Sequence, residues 1–206
     1  TGDYNVELSE NARFIGSIDA VYTDRLDAAE EDAKFAEISF GYAYRPVAHD
    51  RLNVLARYRY VYDEYGQVIT TSGGADTRGP LQHSHILSVD AEYQLNDTWS
   101  IGGKIGYRWS ETADAGSNTF TQNNALLAVV NARWHVVHNW DALLEVRALD
   151  AQQAGTTDYG ALVAGYRHIN NNVKLGIGYN FGRFSDDLAD LTQDEKGAFI
   201  NLIAKF

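Results

Sequence analysis

The chain has 206 residues, room for one domain, with 45% hydrophobic residues and a mean hydropathy of -0.35. Its 17 Lys and Arg stand against 28 Asp and Glu, a net charge of -11, which argues against a nucleic-acid partner because such binders carry basic patches. Cysteine is absent, which excludes disulfides and thiolate metal sites. No apolar run reaches the ~18 residues of a transmembrane helix, but a transmembrane strand needs only ~9–11, half of them polar.

Ten segments alternate apolar and polar residues with period two, the pattern of strands with two unlike faces. The first sets Phe14, Ile18, Ala20 and Tyr22 against Arg13, Ser17 and Asp19. The second, about 34–45, carries Ile38, Phe40, Tyr42 and Tyr44 on its apolar face, with Glu37 on the other. In the third, about 51–62, Leu52, Val54, Ala56, Tyr58, Tyr60 and Tyr62 oppose Arg51, Asn53, Arg57 and Arg59. The fourth sets Leu87, Val89, Ala91 and Tyr93 against Ser88, Asp90 and Glu92; the fifth sets Trp99, Ile101, Ile105, Tyr107 and Trp109 against Lys104 and Arg108. The sixth has Leu126, Ala128, Val130, Ala132 and Trp134 against Asn131, Arg133 and His135, and the seventh has Trp140, Ala142, Leu144 and Val146 against Asp141, Glu145 and Arg147. The eighth, about 159–168, puts Leu162, Ala164 and Tyr166 opposite Arg167. The ninth has Val173, Leu175, Ile177, Tyr179 and Phe181 against Lys174 and Asn180, and the tenth is GAFINLIAKF, with Ala198, Ile200, Leu202, Ala204 and Phe206 on one face.

Short turns (PVAHD, LND, VVHN, INNN) join strands two and three, four and five, six and seven, eight and nine. Their Asn, Asp and Pro suit tight turns. The remaining connections read as longer polar loops, such as Asp63–His83. Regular alternation of short and long connections is the asymmetry of outer-membrane barrels, with short periplasmic turns and long extracellular loops.

Alternation alone does not say which face points outward, since a soluble barrel has the same period with its apolar face inside. Size decides it. Most of the 4 Trp, 13 Tyr and 8 Phe fall on the apolar face. Ten closed strands enclose a lumen little wider than the eight-strand case, which side chains already fill, so these rings belong outside. Tyr42, Tyr44, Tyr93, Trp99, Trp134, Trp140 and Phe206 cluster toward the short turns, and Tyr22, Tyr60, Tyr62, Trp109, Tyr179 and Phe181 toward the long loops, as two interfacial girdles would. The expected fold is therefore all-β, a ten-stranded antiparallel transmembrane β-barrel with both termini in the periplasm.

The other face then lines the lumen with Arg13, Arg57, Arg59, Lys104, Arg108, Arg133, Arg147 and Arg167, together with Asp19, Glu37, Asp90, Glu92 and Glu145. In a narrow lumen these charges pair into a structural plug, or they form a small arginine-lined pore that favours anions. Two long loops are acidic. One carries Asp24, Asp27, Glu30, Glu31 and Asp32; the other carries Asp186, Asp187, Asp190, Asp194 and Glu195. Hard oxygen ligands suit divalent cations that bridge to lipopolysaccharide phosphates, while solvated loops that deter self-association are the simpler reading. His83-Ser84-His85 near Asp90 invites a metal or hydrolase reading, but no third ligand or partner base is evident. His135 and His138 sit at a short turn and read as interfacial. No cofactor or metal site is expected.

The strand that ends on the aromatic Phe206 resembles the C-terminal strand of Gram-negative outer-membrane β-barrels, in which that aromatic is the signal read by the barrel-insertion machinery and the strand closes the barrel. The stretch Gly178–Phe206 (GYNFGRFSDDLADLTQDEKGAFINLIAKF) is similar to the closing hairpin of barrel domains at the C-termini of large multidomain bacterial surface proteins. This resemblance implies an integral outer-membrane domain in contact with the lipid bilayer and lipopolysaccharide, acting as an anchor or surface-display barrel for domains upstream of Thr1. It transfers no catalytic residues. Residues 1–11 would be a periplasmic lead-in or plug segment and 12–206 the barrel. The chain reads as a mature protein or an excised domain. The alternative function is a narrow channel for small solutes or ions, and an outer-membrane hydrolase is a distant third.

Overall fold

The computed structural model describes residues 1–22, 34–64, 69–70, 76–77, 79–137, 139–169, 173–184, 188 and 196–204. Period-two patterning rich in Val, Ile, Tyr and Trp gives strands, and no helix among the described residues is long and apolar enough to cross a membrane. In chain order the strands are β1 (Gly2–Ser9), β2 (Ala12–Tyr22), β3 (Lys34–Tyr44), β4 (Leu52–Glu64), the short pair β5 (Ile69–Thr70) and β6 (Asp76–Thr77), β7 (Leu81–Gln94), β8 (Trp99–Ala113), β9 (Phe120–Gln122), β10 (Ala125–Val137), β11 (Trp140–Ala151), β12 (Thr156–His168), β13 (Val173–Asn180) and β14 (Gly197–Ala204).

Every pairing is antiparallel and follows chain order, β1-β2-β3-β4-β7-β8-β10-β11-β12-β13-β14, with β9 hydrogen-bonded to β8. The sheet thus has 12 strands where ten were expected. The difference lies at β9 and at β1, whose sequence alternates Tyr4, Val6 and Leu8 against Asp3, Asn5 and Glu7 and which pairs with β2 from Gly2↔Ile18 to Ser9↔Ala12. Asn11, in the β1–β2 turn, accepts from the backbone N–H of Val47 through Oδ1 (2.6 Å) and from that of Arg45 through its carbonyl (2.8 Å), which places this turn on the same rim as the β3–β4 turn. Among the described residues no pairing joins β14 to β1 or β2, so the expected closure is not made there. The β11–β12 connection, expected to be long, is the tight turn 152–155, closed by Gly155 at φ +63°, which suits glycine.

The outward face carries the apolar belt. Ile105, Val130, Leu144, Ile177 and Ile200 are 57, 61, 52, 63 and 77% exposed, far more contiguous apolar surface than a water-soluble monomer tolerates. Trp99 and Trp134 stack at 5.5 Å toward the short-turn rim; Tyr107 with Trp109 (4.5 Å) and Tyr179 with Phe181 (4.6 Å) lie toward the long-loop rim.

The inward face is not uniformly small and polar. Val61, Ile86, Leu127 and Val129 are buried inside the curve of the sheet, with Phe35 and Leu149 packed against them. The sequence run ALLAVV at 125–130 is apolar on both faces, so Leu127 and Val129 point inward while Leu126 and Val130 point out.

Candidate functional site: the lumen and its seal

The aliphatic residues of the inward face meet a segment of the β13–β14 connection. Phe184 and Leu188, 8% and 5% exposed, complete the cluster formed by Val61, Ile86, Leu127 and Val129. Two strand arginines hold the backbone of that segment. Arg108 donates from Nη1 to the Leu188 carbonyl (3.2 Å), and Arg147 donates from Nη1 to the Phe184 carbonyl (3.1 Å). Gly182 lies close against β12, so that a Cβ on Gly160 would meet its Cα at 3.1 Å. Each buried carbonyl gains a charged donor, although the Arg108 Nε donor stays buried without a partner, and removing either guanidinium leaves its carbonyl costly.

Toward the short-turn rim the interior opens into a cavity of about 890 Å3. Arg13, Asp90, Glu92, Lys104, Arg133 and Glu145 are among the residues that line it. Arg133 Nη1 lies 3.6 Å from Glu92 Oε1, Arg147 Nε lies 2.5 Å from Glu145 Oε1, and Asp90 faces Lys104 directly across the β7–β8 register. Higher on the wall Arg59 Nε lies 3.2 Å from Glu37 Oε1, and Asp19, across from Glu37, accepts from the Thr1 hydroxyl (3.0 Å). Arg57 and Arg59 line a smaller cavity of about 20 Å3 under Leu188.

Arg167 lies elsewhere. It is paired with Trp140 across β11–β12 and its guanidinium sits 5.6 Å over that ring, on the outward face. The phase of β12 is opposite to the expected one: Tyr166 turns inward, where its ring covers Gly176 and Lys174 lies 4.7 Å over it. The weak alternation of GALVAG at 160–165 does not fix which face is which.

A second cluster escapes the sequence altogether. Asp141, 7% exposed at the start of β11, accepts from His135 Nδ1 (2.7 Å) through Oδ1, and from His168 Nε2 (2.8 Å) and Lys174 Nζ (2.6 Å) through Oδ2. Four strands supply these groups, and only the register brings them together. His138 lies outside the described residues.

The His83-Ser84-His85 run splits across the sheet. Ser84 is buried inward and donates to Ser110 Oγ (2.8 Å), whereas His83 meets Glu111 (2.9 Å) and His85 meets the Tyr58 hydroxyl (2.7 Å) on the outward side. A serine on one face and its histidines on the other cannot form a nucleophile and base. Among the described residues no group of three or more His, Asp or Glu is arranged to hold a metal ion. The acidic residues Asp24 to Asp32 and Asp186, Asp187, Asp190, Asp194 and Glu195, like Phe206, lie outside the described residues.

No protein-family model matches the chain, and no curated protein matches it. Solved structures do. The outer membrane channel DcaP of Acinetobacter baumannii superimposes with a TM-score of 0.59 at 13% identity, over 98% of this chain and 60% of that one. The NanC porin superimposes with a TM-score of 0.54 at 12% identity, over 100% of this chain and 98% of that one. OmpT, an outer membrane protein of Vibrio cholerae in its trimer form, gives 0.54 at 18% identity over 87% of this chain and 52% of that one. The chain therefore spans about the whole of NanC but only 60% of DcaP. At these identities the likeness is one of fold: an antiparallel β meander like those of these outer-membrane β-barrels.

Proposed function

We propose that this protein is an integral outer-membrane β-barrel that serves as a narrow channel, held shut at its long-loop end by its own β13–β14 connection. The observation that carries this reading is the division of the lumen. A charged cavity of about 890 Å3 opens at the short-turn rim and runs up to an apolar seal, Phe184 and Leu188, which two arginines fasten by their carbonyls. A barrel that only anchored other domains has no need of so large a charge-bearing vestibule. The fold neighbours named as a channel and a porin support the same reading.

The barrel closes, in this proposal, between β2 and β14. From β2 to β14 the path holds ten strands, so these two run in opposite directions and can pair as ordinary antiparallel neighbours. β1 occupies the β2 edge and runs parallel to β14, so closure with ten strands requires β1 to leave that edge. Phe206 is then the insertion signal, and the acidic loops meet lipopolysaccharide with or without divalent cations.

Solute flux from liposomes tests the channel reading. Parent protein should release small solutes slowly and a Leu188→Gly variant faster. The second reading is the plugged anchor, which the apolar seal and the resemblance of the closing hairpin favour. Absence of flux from both proteins, with the barrel intact by heat-dependent gel mobility, would establish that reading instead.

A further inference from the structure

Between the vestibule and the seal lies the small cavity of about 20 Å3, walled by Arg57, Arg59, Lys104, Ser88, Ile86 and Leu188. Three of these groups are cations. Arg59 is matched by Glu37, and Lys104 stands across from Asp90. Arg57 has no carboxylate partner among the described residues, and its cross-strand neighbours Gly41 and Ser88 are neutral. Arg57 is part-buried, and a part-buried cation with no carboxylate beside it among the described residues is stabilised by a bound counter-ion. Next to this cavity Arg108, 6% exposed and tied to the Leu188 carbonyl, buries an Nε donor that has no partner. The cavity, about 20 Å3, exceeds the ~10–15 Å3 that a single water-sized occupant needs and has no room for a larger organic solute. We infer that it is a binding site for one small monovalent anion of the halide class. The anion receives the Arg57 guanidinium and the Ser88 hydroxyl and neutralises the lumen wall directly beneath Leu188.

This site does not depend on the lumen conducting, and its test is independent of transport. The refolded protein is heated in sodium chloride and in sodium gluconate of equal ionic strength, and unfolding is followed by gel mobility. Chloride should raise the unfolding midpoint by several degrees. Arg57→Gln should abolish the difference, whereas Arg13→Gln, which alters a vestibule arginine, should retain it. Crystals of the parent protein grown in bromide supply a readout that does not depend on the variants, and the expected result is an anomalous peak beside Arg57. Equal midpoints in the two salts for the parent, a difference that survives Arg57→Gln, or bromide crystals with no peak in the cavity would each overturn the inference.

Discussion

Arg147 donates to the carbonyl oxygen of Phe184 at 3.1 Å, so a guanidinium on the inward face of the sheet holds the backbone just beyond β13. Arg108 does the same for Leu188 at 3.2 Å. Arginines on the inward face of a barrel suggest contact with passing anions. Here two of them are occupied by peptide carbonyls, and the side chains they position, Phe184 and Leu188, are apolar. The seal combines the burial of those side chains with charge-assisted hydrogen bonds that hold them in place.

The close approach of Gly182 to Gly160 gives a mild way to disturb the seal. A Cβ at Gly160 would stand 3.1 Å from Gly182 Cα, and a branched side chain needs more room than the backbone can yield. Gly160→Val should push the Gly182–Phe184 segment off the wall and speed solute release from liposomes, with Gly160→Ala intermediate. Release by Gly160→Val at the parental rate would show that this contact does not hold the seal.

Leu144 lies on the outward face and is 52% exposed, paired with Val163, itself 48% exposed. Leu144→Arg should destabilise the barrel by ~2–4 kcal/mol when it is refolded into lipid vesicles, the usual cost of a mid-depth arginine against hydrocarbon. Unaltered stability in vesicles would mean that this face does not meet lipid.

Among the described residues Asp141 is the one acceptor its cluster shares, so Asp141→Ala strands three donors contributed by β10, β12 and β13. His135 and His168 are 43% and 40% exposed and can turn to water, which limits the loss to about 1–3 kcal/mol. Chemical unfolding followed by tryptophan fluorescence, with Trp140 adjacent, measures it. Asp141→Asn, which keeps an acceptor oxygen, should fall between Ala and the parent; identical curves for all three would remove the cluster from the account of stability.

The absence of cysteine gives a clean background for testing closure. Val6 and Phe14 are register partners between β1 and β2. Oxidation of the Val6→Cys/Phe14→Cys pair should lock β1 on the β2 edge, and the locked protein should lose the heat-dependent mobility shift of a closed barrel that its reduced form keeps. Equal shifts in both forms would contradict closure between β2 and β14.

Strong two-sided patterning made much of the sheet legible. Tyr58 and Tyr60 against Arg57 and Arg59, or Leu144 and Val146 against Glu145 and Arg147, leave one sensible phase. Where both faces are apolar, as at 125–130, or nearly neutral, as at 160–165, the period carries no phase information, so the inward turn of Leu127 and Tyr166 and the outward turn of Arg167 are not legible in it. β1 was legible in principle, since Tyr4, Val6 and Leu8 alternate cleanly, but its charged partners Asp3 and Glu7 made it read as a polar lead-in. The seal was hidden for another reason. Phe184 and Leu188 sit among Asp186, Asp187 and Asp190, and loop composition says nothing of which way two apolar side chains turn. The Asp141 cluster required the register of four strands, which no local pattern supplies.

The most direct measurement is single-channel conductance in a planar bilayer of the refolded parent and of the Arg108→Ala/Arg147→Ala double variant. Loss of both carbonyl contacts should free the seal, so the parent should be closed most of the time and the variant should show frequent, steady openings through the charged vestibule. Two equally silent proteins, both with intact heat-resistant barrels, would contradict the channel and leave the lumen as a structural plug.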